Sequence, residues 1–134
     1  MHKLNFDEEL EKLVARDPRY DRAAYLFLRE ALDHTQKLLG RSSAEARHVS
    51  GQQLLDGIRD YALQQFGPMA LMVLEEWGVR RCEDFGEMVF NLVDQGLLSK
   101  TASDRQEDFQ GGYDFTEAFR KPFLPTASKN SNIN

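Results

Sequence analysis

The chain has one cysteine, three histidines and no long hydrophobic run. A single cysteine excludes an internal disulfide bond. Because a bilayer-spanning helix needs about 20 consecutive apolar residues, no segment of this sequence is expected to cross a membrane. The N-terminal residues also lack the apolar stretch of a secretory signal. These absences predict a cytoplasmic protein.

Sequence motifs of known catalytic chemistry are missing as well. There is no HExxH, CxxC, Walker-type or Gly-x-Ser-x-Gly pattern in the chain. The histidines His2, His34 and His48 are far apart, and Cys82 has no histidine near it in the sequence. A catalytic cysteine needs a neighbouring base that activates it. The sequence therefore predicts a non-enzymatic protein without a cofactor or metal; an enzyme whose site is built from distant residues is the remaining alternative.

The negative charge of the chain is concentrated in its second part. Residues 1–49 carry nine basic and nine acidic side chains, so the net charge of −5 lies entirely in residues 50–134. Proteins that bind nucleic acid depend on basic residues clustered at the contact surface. This distribution makes nucleic acid the less favoured partner.

Apolar residues recur at helical spacing through most of the chain. The pattern predicts five helices, at about residues 6–16, 18–39, 51–66, 68–76 and 83–95. The third helix has the clearest start, because Ser50 and Gln53 have the spacing of a capping box. The inward faces of the last two helices predict four buried side chains: Trp77, Phe85, Val89 and Leu92.

Two short apolar segments after the fifth helix predict β-structure. The fifth helix stops at Gly96, and the residues Leu97–Lys100 have the composition of a strand. Residues 109–115 form the second candidate strand, although the adjacent Gly111 and Gly112 weaken it. A helix that runs into a hairpin in this way is typical of a winged helix-turn-helix unit, with the fifth helix as its recognition helix.

The predicted architecture is therefore an α+β fold that is mostly helical. Two N-terminal helices pack on a winged-helix-like three-helix unit, at residues 48–116, which ends in a C-terminal β-hairpin. Residues 1–124 form a single globular domain. The tail at 125–134 has few apolar residues to bury and is predicted to be disordered.

Several segments of the chain also resemble a small family of uncharacterised bacterial proteins, found chiefly in Planctomycetes and Verrucomicrobia. The segments are YLFLREAL at 25–32, HVSGQQLL at 48–55, QFGP at 65–68, WGVRR at 77–81 and DFQGGYDF at 108–115. The resemblance covers roughly residues 15–123. It implies a soluble bacterial protein, and it carries over no known activity and no catalytic residues.

Protein–protein recognition is the function that this pattern favours. The first turns of the fifth helix carry Glu83, Asp84 and Glu87, an acidic surface that suits a protein partner better than DNA. Aromatic residues in polar surroundings are typical of interface anchors, and the C-terminal part of the chain has three candidates: Phe109, Tyr113 and Phe115. The alternative for these rings is that they pack over the core. The wide apolar face of the second helix makes a homodimer a further alternative.

A DNA-binding transcription regulator is the alternative function. Phosphate contacts would then come from Arg80 and Arg81 before the fifth helix, and from Lys100 and Arg105 near the wing. The carboxylates at the start of the fifth helix oppose this interpretation, because a recognition helix usually contacts base edges from its N-terminal end.

Overall fold

The chain folds into a bundle of α-helices closed by a C-terminal segment. The computed structural model describes residues 5–40, 49–98 and 106–125. In these residues there are five α-helices: α1 (Phe6–Arg16), α2 (Arg22–Leu38), α3 (Gly51–Phe66), α4 (Ala70–Glu76) and α5 (Cys82–Asp94). A 3₁₀ turn, Gly67–Met69, joins α3 to α4. The predicted disordered tail lies outside the described residues, apart from the exposed Pro125.

The C-terminal residues 106–124 form a segment that we call the C-terminal strap. It consists of a 3₁₀ turn (Gln106–Phe109), a π-helical turn (Thr116–Arg120) and a second 3₁₀ turn (Lys121–Phe123). The first turn packs on α3 and α5, and the π-helical turn packs on α3 and α4. Side-chain packing, rather than a backbone ladder, therefore holds this segment in place.

The predicted α+β fold is wrong: the described ranges 5–40, 49–98 and 106–125 are helical and contain no strand. At the first predicted strand, Gly96 has a φ of +79°. The backbone N–H of Gly96 donates to the Val93 carbonyl at 3.0 Å, and that of Leu97 donates to the Leu92 carbonyl at 2.8 Å. These two bonds form a Schellman motif. Leu97 therefore folds back onto the end of α5, while Ser99 and Lys100 lie outside the described residues.

The second predicted strand, residues 109–115, is also absent. Phe109 ends a 3₁₀ turn, and the residues from Gly112 to Asp114 are irregular. Phe109, Phe115 and Phe119 are all buried in the same core. The 3₁₀ and π-helical turns of the C-terminal strap direct these aromatic side chains into the core, so their burial does not require a hairpin. The wing of the predicted winged-helix unit is consequently missing from the described residues.

The local signals for helix starts are mostly confirmed. The Asn5 side chain accepts from the backbone N–H of Glu8 at 3.1 Å, and Ser50 and Gln53 form both bonds of a capping box. The second helix begins later than the sequence predicts. Asp21 is its N-cap, accepting from the Ala23 N–H at 2.8 Å.

One hydrophobic core joins all five helices and the C-terminal strap. Phe85, Val89 and Leu92 are buried as predicted, whereas Trp77 is only half-buried. The apolar face of α2, which suggested a homodimer, lies inside the protein: Ala24, Phe27, Leu28, Ala31 and Leu32 are buried. This face packs largely against α3. The structure therefore accounts for it without a second copy.

A polar junction ties the α1–α2 connection to α5. The Arg19 side chain donates to both carboxylate oxygens of Asp17, at 2.9 and 2.8 Å. The buried Asn91 on α5 donates to Asp17 at 3.0 Å and to the Tyr25 hydroxyl at 3.1 Å. The hydrogen bonds from Arg19 lower the pKa of Asp17 well below its usual range; burial opposes this effect, and Asn91 adds to it.

This depressed pKa predicts a loss of stability in acid. Because the carboxyl pKa is near 4 in the unfolded chain, the contribution of Asp17 is complete above that pH and disappears as the pH falls towards the folded pKa. Urea unfolding at pH 7, 5 and 3 should show that Asp17→Asn is destabilised at pH 7 and that its deficit shrinks in acid. The exposed Asp33→Asn is the surface control. A deficit of the same size at all three pH values would contradict the prediction.

Candidate functional site

Helix α5 has one face in the core and one face on the surface. Phe85, Met88, Val89 and Leu92 point inwards and are buried. On the opposite side, four residues follow each other at spacings of four, three and four, which places them in one line along an α-helix. We call Glu83, Glu87, Phe90 and Asp94 the outer stripe of α5.

Phe90 is the unusual member of the outer stripe. Its side chain is 55% exposed, although α5 is otherwise held firmly against the core. Phe90 was not predicted from the sequence, because only the apolar positions on the inward face of the fifth helix were counted. A helical projection would have found it, since Phe90 lies about 140° around the helix from Phe85 at 100° per residue.

The acidic members of the outer stripe differ in their partners. Glu87 forms an ion pair with Arg19 at 3.0 Å, and Asp94 makes a longer one with Arg16 at 3.7 Å. Glu83 accepts a long hydrogen bond of 3.4 Å from the backbone N–H of Gly111. No ion pair to Glu83 is present in the described residues. The charge of Glu83 therefore remains available at the surface.

Asp84, predicted to share this acidic surface, points into the protein instead. Its carboxylate accepts from the Tyr20 hydroxyl at 2.7 Å and from the backbone N–H groups of Arg80 and Arg81 at 2.9 and 3.2 Å. Burial and this contact raise the pKa of Tyr20. Asp84 thus holds the start of α5 against the α1–α2 connection and is not placed to meet a partner.

Of the three candidate aromatic anchors, Phe109 and Phe115 belong to the core, and the partly buried Tyr113 packs against it. Phe109 is fully buried and Phe115 nearly so. The Tyr113 hydroxyl donates to the Leu55 carbonyl at 2.8 Å, and burial raises its pKa. Of the two alternatives for these rings, packing over the core is the one that the structure shows.

Two shallow grooves flank Glu87. The first, about 380 Å³, lies between α5 and the C-terminal strap and is lined by Arg81, Glu83, Glu87, Glu107 and Gln110. We call it the acidic groove. The second, about 370 Å³, is lined by three arginines, Arg19, Arg80 and Arg81, and by two carboxylates, Asp84 and Glu87. Arg80 and Arg81 are exposed, as a nucleic-acid interface would require, but their neighbours are carboxylates. Lys100 and Arg105 lie outside the described residues.

The structure offers little support for catalysis at Cys82. Its thiol is buried, it donates to the Tyr113 carbonyl at 3.3 Å, and burial raises its pKa to about 11. A thiol in this state is a poor nucleophile at neutral pH. Cys82 is also the first residue of α5.

One pairing of chemically active groups was not predicted. His34 Nε2 on α2 lies 2.6 Å from Asp60 Oδ2 on α3, and the imidazole contacts the ring of Tyr61. These residues are 26 positions apart, so sequence spacing could not reveal them.

In the described part of the chain, no group of three or more His, Cys, Asp or Glu side chains is arranged to hold a metal. There is also no helix in these ranges that is long and apolar enough to cross a membrane.

Comparison with known proteins does not assign this chain to a family. The resemblance to the small bacterial family stays a prediction from the segments at 25–32, 48–55, 65–68, 77–81 and 108–115. No protein-family model matches this chain, and no curated protein or solved structure matches it either.

Proposed function

We propose that this protein is a non-enzymatic protein-interaction module that binds its partner through the outer stripe of α5. The observation that carries the proposal is the exposed ring of Phe90 in the middle of a helix whose other face is buried. Aromatic side chains dominate binding energy at protein interfaces, especially when they are surrounded by polar residues that exclude water. Glu83, Glu87 and Asp94 provide such surroundings.

The rigidity of α5 favours it over the other exposed apolar residues. Leu38 and Leu39 lie beside the range 41–48, and Phe123 and Leu124 lie at the end of the C-terminal strap. Met69 and Met72 are exposed in the 3₁₀ turn and the seven-residue helix α4, and their unbranched side chains have more rotatable bonds to immobilise on binding than a phenylalanine ring. Phe90, by contrast, lies between helical turns that contribute buried residues to the core. An anchor held on a rigid helix loses little conformational entropy on binding. The DNA-binding alternative depended on a hairpin, and the described residues 106–125 contain no strand that could form one.

Replacing Phe90 should abolish most of the binding without unfolding the protein. Loss of an aromatic anchor costs at least about 2 kcal/mol, or roughly thirtyfold in affinity. We expect wild-type bait to retain a partner, from a lysate of the cells that make this protein, that Phe90→Ser fails to retain. Quantitative mass spectrometry with nuclease-treated lysate measures the difference, and thermal unfolding checks the fold.

Phe123→Ser is the matched control, because Phe123 is also exposed but lies on the C-terminal strap. It should retain the same proteins as the wild type. Identical retention by the Phe90 and Phe123 variants would exclude the outer stripe. Loss of every retained protein after nuclease treatment would favour nucleic acid as the true ligand.

A further inference from the structure

We infer that the segment recognised by α5 is an amphipathic peptide segment of another protein, and that it places a lysine or arginine in the acidic groove beside an apolar residue that covers Phe90. This inference depends on the proposed function and specifies the chemistry of the partner. It follows from the charge and position of the groove relative to the exposed ring.

The acidic groove lies next to Phe90. Glu87, which lines the groove, is three residues before Phe90 and therefore its neighbour on the helix surface, and Glu83 is one turn further away. A volume of about 380 Å³ is near the lower end of the roughly 300–1,000 Å³ range for ligand pockets. The groove can thus receive a long side chain from a segment that also covers Phe90.

The charges in the groove favour a cation. Three carboxylates, from Glu83, Glu87 and Glu107, face one guanidinium, from Arg81. Glu87 is already paired with Arg19, but Glu83 and Glu107 form no ion pair within the described residues. A lysine or arginine from the partner would give these carboxylates a counter-charge, whereas an acidic side chain would be repelled.

The second groove limits how basic the partner can be. Arg19, Arg80 and Arg81 line it together with Asp84 and Glu87. The charge of Arg19 is met by Asp17 and Glu87, whereas Arg80 and Arg81 form no ion pair within the described residues. A uniformly cationic segment would meet repulsion there, while a segment with one basic position next to an apolar one would not. The surface is therefore expected to bind a segment with a single basic residue beside an apolar one more tightly than a polycationic segment.

Selection from random twelve-residue peptides displayed on phage tests this inference with the intact protein. Wild-type protein is the target, and Phe90→Ser is used for counter-selection. We expect the enriched peptides to carry Lys or Arg close to an aromatic or aliphatic residue. Fluorescence anisotropy with synthetic copies should then show affinity at least tenfold weaker for Phe90→Ser and for the double variant Glu83→Lys/Glu107→Lys. The exposed Glu76→Lys on α4 is the control and should bind normally.

The possible failures are distinguishable. Two results would contradict the basic partner and leave the proposed function standing. In the first, the peptides that depend on Phe90 are acidic or uncharged. In the second, their affinity is the same for the Glu83→Lys/Glu107→Lys variant as for the wild type. Peptides that bind the Phe90→Ser variant as well as the wild type overturn both. So does a selection in which no sequence is enriched over the counter-selection.

Discussion

Gly57→Ala is expected to lower the free energy of unfolding by about 3 kcal/mol, the upper part of the usual range for overpacking a core. Gly57 is buried in α3 where this helix crosses α2. A Cβ atom at this position would overlap Thr35 Oγ1 and would lie 2.7 Å from Thr35 Cβ. The helices must separate to accept it. Alanine normally stabilises a helix interior by about 1 kcal/mol relative to glycine, so a loss would identify the crossing as the cause.

Urea unfolding of Gly57→Ala, Thr35→Gly and the double variant measures this effect. If the overlap with Thr35 is responsible, removing the Thr35 side chain should recover part of the loss, with a coupling energy of about 0.5–3 kcal/mol. Asp56→Ala, one residue away and exposed, should change stability by less than about 0.5 kcal/mol. A neutral Gly57→Ala variant would show that α2 and α3 do not approach as closely as described.

Phe109→Ala should destabilise the protein by about 3–5 kcal/mol, as expected for the loss of a fully buried phenylalanine. Phe109 has no exposed surface, and it packs directly on Gly86 of α5, where a Cβ would lie 3.0 Å from the Phe109 Cβ. A neighbouring hydrogen bond, from Gln52 Nε2 to the Asp108 carbonyl at 2.8 Å, holds the same turn against α3. Loss of the ring therefore leaves a cavity beneath the C-terminal strap.

The matched comparison is Phe123→Ala, which removes a ring that is 44% exposed at the other end of the strap. Its cost should be clearly smaller. Urea unfolding gives both values, and hydrogen exchange of residues 106–124 shows whether the strap loosens first. Equal costs for the two substitutions would mean that Phe109 is not the residue that anchors the strap.

Local patterns predicted the helices well. The capping side chains of Asn5 and Ser50 lie within three residues of the N–H groups that they bind, so their geometry depends on little else. The inward faces of α5 and α3 follow from the same short-range periodicity. These features could be read from the sequence because each depends on residues within one or two turns.

At Leu97 the prediction from neighbouring residues, a β-strand, was wrong. An apolar residue after Gly96 can begin a strand or close a Schellman motif, and both are consistent with the same sequence. The choice depends on whether a second strand is present to pair with it. Residues 109–115 do not serve as that strand, because Phe109 and Phe115 bury their rings in a core built from distant helices.

The surface of α5 could be predicted only in part. Glu83 and Glu87 are at the surface as expected, but Asp84 turns inwards because the hydroxyl of Tyr20, 64 residues away in the chain, meets it there. Phe90 was overlooked, since an apolar residue on a helix is normally assigned to the core.

By itself, the sequence determined the net charge, the positions of the helices, the caps of α1 and α3 and the inward face of α5. Each of these structural features depends on residues close together in the chain. The tertiary structure alone decided that Phe109, Phe115 and Phe119 are buried in the core, that Asp84 is internal and that Phe90 remains exposed. Burial depends on what packs against a side chain, and for these residues the packing partners, or their absence, come from distant parts of the chain.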